Sequence, residues 1–408
     1  MRHLLLLFIF FTLAAFIVSC GTTSPVRQPV QRGETVPRIN VLLNENPIQN
    51  ITFHGDFTLY ASEGRYQLSA SSMTYFCLFQ NNQLMMQSDS RSFRFSTGFP
   101  LRIVPNSNDA YIEIDGKRVA GVLLIHKIGE DNIAYILNTD IEHYLLGVVP
   151  AEIPSGKKEY EQAVAAQAIA ARSYTYHQYL QRKNHLFQLY DDQRDQVLGD
   201  MLRYNDIVEK SIRETRGLIL AGNNDSFIPY YHSTCGGFFS MVSDDTIFLP
   251  DTIAGHHSAF CSISPLFRWY RILSIEDLLK SLKKNNIFSP GPDFEHRDHH
   301  IQLKIDHREH TGRIRKMEII IDNQRIPLRD YQIRSTFIDS LQSPLPSTWF
   351  LMAPYSADSL KFIVAGAGYG HGRGMCQWGA IGMSIKGFSF KEILNHYYPD
   401  AILRRIYR

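Results

Sequence analysis

The chain has little cysteine and almost no net charge. It contains five cysteines in 408 residues, none in a C-x-x-C pair, which argues against a ribbon-type zinc module. The formal charge is only +2, so no strongly basic field points to nucleic acid. There is no GKS or GKT and no G-x-G-x-x-G, which excludes a P-loop and a dinucleotide fingerprint. What is present is ample apolar material, 44% hydrophobic with 12% aromatic, enough for one large or two to three smaller domains. One run stands out: Gly368-Tyr-Gly-His-Gly-Arg-Gly-Met-Cys-Gln-Trp-Gly-Ala380. Its alternating glycines permit positive φ and let the backbone approach a ligand or a second strand closely. A tight glycine loop with a structural histidine is the plainer alternative.

Residues 1–19 have a short basic start, an apolar stretch from Leu4 to Val18 and small residues before Cys20, the pattern of a secretory signal. The stretch falls short of the ~18 residues a membrane span needs. The approach to Cys20 resembles a bacterial lipobox, which implies cleavage before Cys20 and lipidation of its thiol. Gly21 in place of aspartate points to the outer membrane, facing the periplasm of a Gram-negative cell. Residues 20–37 are rich in proline, threonine and other polar residues and read as a solvated tether.

Residues 38–130 show short alternating segments, among them Arg38–Leu43, Phe57–Tyr60, Ser92–Phe95, Tyr111–Ile114 and Val122–Ile125. Turn signals at Glu63-Gly64 and Asp115-Gly116 separate them, which predicts a β-rich region of hairpins. Ala134–Leu137 continues it, and Pro150 and Pro154 end the strand reading. From about Lys158 to Arg182 the spacing predicts a helix with a small-residue surface of alanines at 163, 165, 166, 168, 170 and 171. Arg172 on that surface needs a carboxylate partner if it is buried, and otherwise snorkels to solvent. Glu152 stands before this helix among Val148, Val149 and Ile153. An apolar setting raises a carboxyl pKa, as a general acid at neutral pH requires. A glutamate that merely complements a helix N-terminus has the same local sequence.

Taken in order, Asp140–Pro154, Ala163–Tyr174, Asp195-Gln-Val197, Tyr231-His-Ser-Thr-Cys-Gly-Gly237, Ile333–Phe337 and the glycine run resemble the SpoIID/LytB family, the stage II sporulation protein D and amidase-enhancer domain. The resemblance covers roughly residues 38–400. It implies an α+β fold: a β-rich SpoIID-like domain, a small-residue helix beside the active site, and a peripheral α+β lobe inserted at about 270–332 of a catalytic region spanning 131–408. It also implies that Glu152 is the catalytic acid of a peptidoglycan lytic transglycosylase acting on peptide-stripped glycan. Most glycosidases need two carboxylates. A lytic transglycosylase works with one, because the O6 hydroxyl of muramic acid is the nucleophile. The other implied reading is a non-catalytic amidase enhancer that binds wall glycan and activates an N-acetylmuramoyl-L-alanine amidase.

The remaining motifs supply substrate-binding or supporting residues: Gln167, Arg172, Ser173, Tyr174, Ser233, Gly236, Gly237, His371 and Gln377. Trp378 is a core residue or a stacking platform for a sugar. Asp191, Asp192 and Asp195 are expected only in supporting roles. Expected partners are peptidoglycan glycan strands, a cell-wall amidase, and a membrane reached through the lipid, with no nucleic acid. The resemblance requires no cofactor. Some family members carry a zinc site just before the Asp-Gln-Val segment, but here that stretch, His185–Arg194, has no cysteine. Cys235 and Cys261, near His232, His256 and His257, admit a structural zinc or a disulfide, and the disulfide ranks slightly ahead because no ligand pair has standard spacing. His-rich 294–300 reads as a solvated loop before a metal site.

Overall fold

The computed structural model describes residues 35–45, 48–68, 72–81, 83–96, 100–128, 132–222, 227–244, 246–255, 258–288, 300–355 and 361–408. The signal and lipidation expectations at 1–20, the histidines at 256 and 257, and most of the His-rich 294–300 stretch lie outside the described residues. Among the described residues no helix is long and apolar enough to cross a membrane.

The protein is α+β and β-rich, 24% helix and 40% strand. Alternation of apolar residues builds two antiparallel-dominated sheets in the N-terminal region. The larger has seven strands in the order Leu189–Tyr190, Arg38–Asn44, Asn132–Asp140, Val122–Ile128, Leu101–Pro105, Phe57–Ala61 and Gly64–Leu68. The smaller has six, in the order Lys117–Val119, Tyr111–Ile114, Ile48–His54, Met73–Gln80, Gln83–Gln87 and Ser92–Ser96. Their inward faces meet at Phe53, which packs edge-on against Phe57 and Tyr75 at ring separations of 5.1 and 5.8 Å. The turn read at Asp115-Gly116 is present, with φ of 52° and 76°.

The last long strand, Asn132–Asp140, feeds directly into helix α1, Ile141–Glu152. Asp140 is its N-cap and accepts the His143 amide at 3.1 Å, satisfying one of the orphan donors of the first turn. Ile141, Tyr144, Leu145, Val148 and Val149 are all buried, so tertiary contact holds a segment that Pro150 makes a poor helix. Glu152 stands ahead of the alanine-rich helix as the sequence indicates, and it is the last residue of α1, a helix that the sequence did not reveal. A 3₁₀ turn, Lys158–Tyr160, then opens α2, Glu161–Gln181, the small-residue helix. Helix α3, Asp206–Glu214, packs against both.

A second core forms in the lobe, from Trp269 through Ile314, Ile319, Ile333 and Phe350 to Val364. It is covered by α4, Ile275–Lys284, and α5, Tyr331–Thr336, and built on two three-stranded sheets. The segment expected at about 270–332 lies inside this core, which also takes in α5 and the strands Phe350–Pro354 and Lys361–Ala367. The chain then returns through the glycine run to α6, Gln377–Ile385, and α7, Phe390–Tyr397, both packed on α2.

Candidate functional site

Three separated segments converge at the end of α1. The first contact is a close backbone approach. Gly199 N–H donates to Gly147 O at 3.2 Å, and a Cβ on Gly147 would lie 2.6 Å from Leu198 Cδ1. That approach lays the Asp195-Gln-Val197 segment alongside the last turns of α1. Each of its residues has a task. Asp195 accepts the Tyr174 hydroxyl at 2.8 Å and the Tyr190 amide at 2.9 Å, and pairs with Arg182 at 2.6 Å. Gln196 accepts the Thr175 hydroxyl and donates to the Tyr231 hydroxyl, both at 2.8 Å. Val197 N–H donates to Glu152 Oε1 at 3.4 Å.

The second contact comes from α6. Gln377, its first residue, donates Nε2 to Glu152 Oε2 at 3.3 Å and to Gln167 Oε1 at 3.5 Å. Gln167 is fully buried on α2, and its own Nε2 has no hydrogen-bond partner among the described residues. Glu152 is half-buried, and among the described residues no cation pairs with it. Burial pushes its carboxyl pKa above the ordinary value, and the donors from Gln377 and Val197 only partly counter this. Burial drives the phenols of Tyr231 and Tyr144 well above their usual range, and nearby negative charge adds to it, that of Glu152 at Tyr231 and those of Asp191, Asp195 and Glu152 at Tyr144. Tyr144 Oη is buried and has no hydrogen-bond partner among the described residues.

This arrangement suits a group that acts first as acid and then as base. Burial favours the protonated carboxyl before reaction. Once the proton has left, one N–H donor on each oxygen receives the carboxylate.

The glycine run forms the adjoining wall. Gly368, Gly370, Gly372 and Gly374 all have positive φ, between 65° and 99°. The run lies against residues 230–235: Thr234 and Tyr369 exchange backbone hydrogen bonds, and Tyr231–His232 pairs in parallel with Met375–Cys376. A Cβ on Gly374 would stand 2.1 Å from Tyr230 O, so the second strand can approach only a glycine. A Cβ on Gly372 would meet Arg313 Nε at 2.3 Å. Arg313 reaches in from the lobe and donates to Gly370 O at 2.8 Å and Cys235 O at 3.1 Å. His371 accepts the Arg373 amide on Nδ1 at 3.1 Å and so donates from Nε2 to Tyr231 O at 3.0 Å, the pattern of a neutral ring. It is exposed and faces the loop backbone, with no contact to the glutamate.

The other sequence-derived residues fall into two groups. Gln377 meets Glu152 directly, and Gln167 is linked to it through Gln377. Arg172 and Ser173 instead face the opposite side of α2. Arg172 is fully buried in a two-bond ion pair with Glu142, 2.9 Å at both Nε and Nη2, and also donates to Leu218 O at 3.2 Å and Ile212 O at 3.3 Å. The carboxylate partner that its burial demands is therefore Glu142, which Tyr407 also supports at 2.6 Å. Ser173 donates to Ile169 O and accepts the Leu220 amide at 2.8 Å. Ser233 accepts the Trp378 amide on its carbonyl at 3.0 Å, which ties α6 to the 230–237 segment, and Trp378 is half-buried against the main core. Gly236 and Gly237 take φ of 81° and 120° at a turn packed on Ala367. Asp191 pairs with Lys117 and Asp192 with Arg194, and neither contacts Glu152.

Two expectations about cysteine change. The four cysteines among the described residues are free, and Cys235 Sγ lies 3.4 Å from Cys261 Sγ, so the pair is not bonded. His232 turns away from them and hydrogen-bonds Arg373 O at 3.0 Å. The sequence reading missed the Val197 amide, Tyr231 and Tyr144. All three lie within the quoted motifs, Tyr144 in Asp140–Pro154, Val197 at the end of Asp195-Gln-Val197 and Tyr231 at the start of its own, but nothing in the residue types marked them as site groups. A separate cleft of about 570 Å³ opens on the lobe between Arg308, Glu309, Arg315 and Asp330, and includes none of the residues around Glu152.

Comparison with known proteins agrees with this layout. Residues 129–221 match the SpoIID family, described as stage II sporulation protein. Residues 245–374 match a domain of unknown function, DUF8618, which includes the lobe. An uncharacterized protein of Brachyspira hyodysenteriae (strain ATCC 49526 / WA1) is 28% identical over 270 residues, 66% of this chain and 67% of that protein. The amidase enhancer of Bacillus subtilis (strain 168) is 25% identical over 348 residues, 75% of this chain and 47% of that protein. The chain thus spans about half the length of the amidase enhancer. The fold is α+β, and the SpoIID match over residues 129–221 together with the amidase-enhancer relative supports a cell-wall-related domain there. The chain is thus similar to the SpoIID/LytB family through the SpoIID match over residues 129–221 and a relative named amidase enhancer.

Proposed function

We propose that the protein is a peptidoglycan lytic transglycosylase with Glu152 as its general acid and base. The observation that carries this reading is the state of Glu152. It is half-buried, no cation among the described residues pairs with it, its carboxyl is pushed up by burial, and each oxygen is held by one N–H donor, from Val197 and Gln377. Protonated Glu152 gives its proton to the glycosidic oxygen as the bond to the muramic acid C1 breaks. The resulting carboxylate, held by the two donors, takes the proton of the O6 hydroxyl as that oxygen closes on C1. The products are a free hydroxyl end and a 1,6-anhydromuramic end, with no water consumed. Acid–base catalysis of this kind contributes about 10²–10⁴-fold. The half-buried Tyr231 is suited to hold a sugar hydroxyl next to it, and the buried Gln167 to steady Gln377 from behind. Peptide-stripped glycan is the substrate form that the family resemblance suggests, and the N-terminal pattern suggests a lipid anchor in the outer membrane.

One observation favours a second reading. The Bacillus subtilis relative carries the name amidase enhancer. On that reading the same groove binds wall glycan without cleaving it and raises the rate of a partner amidase. Purified protein incubated with denuded and intact sacculi separates the two. Anhydro-ended fragments, lost in Glu152→Gln, support the transglycosylase. No fragments, together with acceleration of an added amidase, would establish the enhancer.

A further inference from the structure

Beneath the glycine wall lies a cluster that the reaction does not use. The sulfurs of Cys235, Cys261 and Cys376 and a carboxylate oxygen of Asp251 all lie within 4.8 Å of one another, and all four residues are buried. We propose that these four side chains bind one structural zinc ion.

The donor set and its dimensions fit. Zinc takes thiolate, imidazole or carboxylate ligands in a tetrahedron, and a Zn–S bond of about 2.3 Å separates donors by roughly 3.8 Å. The Cys235–Cys261 separation of 3.4 Å is near that value and far from the bonded sulfur distance of about 2.05 Å. A disulfide would use two thiols and leave the third thiol and the carboxylate without a function, whereas a metal uses all four.

The surroundings are those of anionic ligands. Backbone amides point at the sulfurs: Cys235 N and Gly379 N donate to Cys376 Sγ at 3.2 and 3.3 Å, and Gly237 N donates to Cys235 Sγ at 3.4 Å. Such outer donors orient and stabilise metal thiolates. Asp251 is fully buried, accepting the Cys261 amide at 2.7 Å and the Tyr397 hydroxyl at 2.5 Å, yet no Lys or Arg among the described residues pairs with it. A buried carboxylate without a counter-charge is costly. A divalent cation at the centre of the four donors supplies that charge. Arg313, buried with no carboxylate pair among the described residues, donates to Cys235 O and balances the anionic centre from outside. On binding, the thiols release their protons to solvent and the ion replaces them.

The site would tie together three segments that are distant in sequence, and Cys376 directly precedes Gln377. The ion would therefore fix the start of α6 and the angle at which Gln377 meets Glu152. The proposal stands apart from the catalytic reading, because metal content is measured without an activity assay.

The test is elemental analysis of the full chain purified without chelator, with and without added zinc. The expected result is close to one zinc per chain, released in step with thiol modification when the protein is titrated with an organomercurial. Cys77→Ser should keep the metal. Asp251→Asn should weaken zinc binding by about 10-fold or more, and Cys376→Ser should abolish it. The mercurial titration of the unaltered protein decides the matter if a variant does not fold. A Cys235–Cys261 disulfide in a non-reducing peptide map, three free thiols without metal, or a different metal at full occupancy would each overturn the zinc assignment.

Discussion

Gln377 donates its amide to Glu152 at 3.3 Å across a separation of 225 residues. The hydrogen bond opposes the effect of burial on the carboxyl, so it tunes the proton that the proposed reaction moves. Gln377→Leu removes the opposition. The Glu152 pKa then rises further, and the alkaline limb of the pH–rate profile moves to higher pH. A profile of anhydro-end formation from pH 4 to 9 checks this. An unshifted limb would separate Gln377 from the acid.

Glu152→Gln should reduce glycan cleavage by at least about 10²-fold, with glycan binding retained in a sacculus pull-down. The same change should stabilise the fold. A carboxyl whose folded-state pKa is raised is stabilising only below its unfolded pKa, and that contribution is lost as pH rises through the folded value. The variant should therefore melt higher than the parent at neutral pH, and the two should converge under acid conditions. Thermal melts across pH read this directly.

The Arg172–Glu142 pair predicts a different response. Burial pushes the Glu142 carboxyl up, but Arg172, Tyr407 and the Gly217 amide outweigh it and hold the group below its ordinary value. Its stabilisation is present above the unfolded pKa and lost as pH falls through the folded one. Arg172→Met leaves a buried anion unpaired and should cost about 3–5 kcal/mol in denaturant unfolding. The pH profile of whatever activity remains should keep its shape.

Gly374→Ala places a methyl group against Tyr230 O at a residue with φ of 65°. The expected loss is at least about 2 kcal/mol. Gly387→Ala provides the control, because its φ of 87° is equally strained but nothing lies within 4 Å of the added carbon. A smaller loss there isolates the steric share.

Local pattern carried far in this chain. The strands at Tyr111–Ile114 and Val122–Ile128 and the alanine-rich helix follow from periodicity that any neighbour would respect. Helix α1 was not legible, because Pro150 and its β-branched neighbours speak against a helix and only burial of one face sustains it. The site shows the same limit. Glu152 and Gln377 were visible as residue types in marked settings, but Val197 acts through its main chain, which leaves no trace in side-chain chemistry. Arg172 announced its need for a carboxylate, while Glu142 as the partner depends on how α1 and α2 cross. The relation of Cys376 and Asp251 to Cys235 and Cys261 is wholly tertiary.

The lobe leaves and rejoins the body along paired strands, with Arg268 opposite Ala367, and the segments flanking it are themselves joined through Tyr231–His232 and Met375–Cys376. Its two ends are thus neighbours. A graft is easiest at such a junction: the lobe can be exchanged for a short turn or for another module without re-threading the body. What the exchange must replace is a small set of hydrogen bonds: Arg313 donates to the carbonyls of Gly370 and Cys235, Arg268 to Gly236 O at 3.0 Å and Trp269 Nε1 to Gly368 O at 2.9 Å, and Pro346 O accepts the Gly370 amide at 3.0 Å.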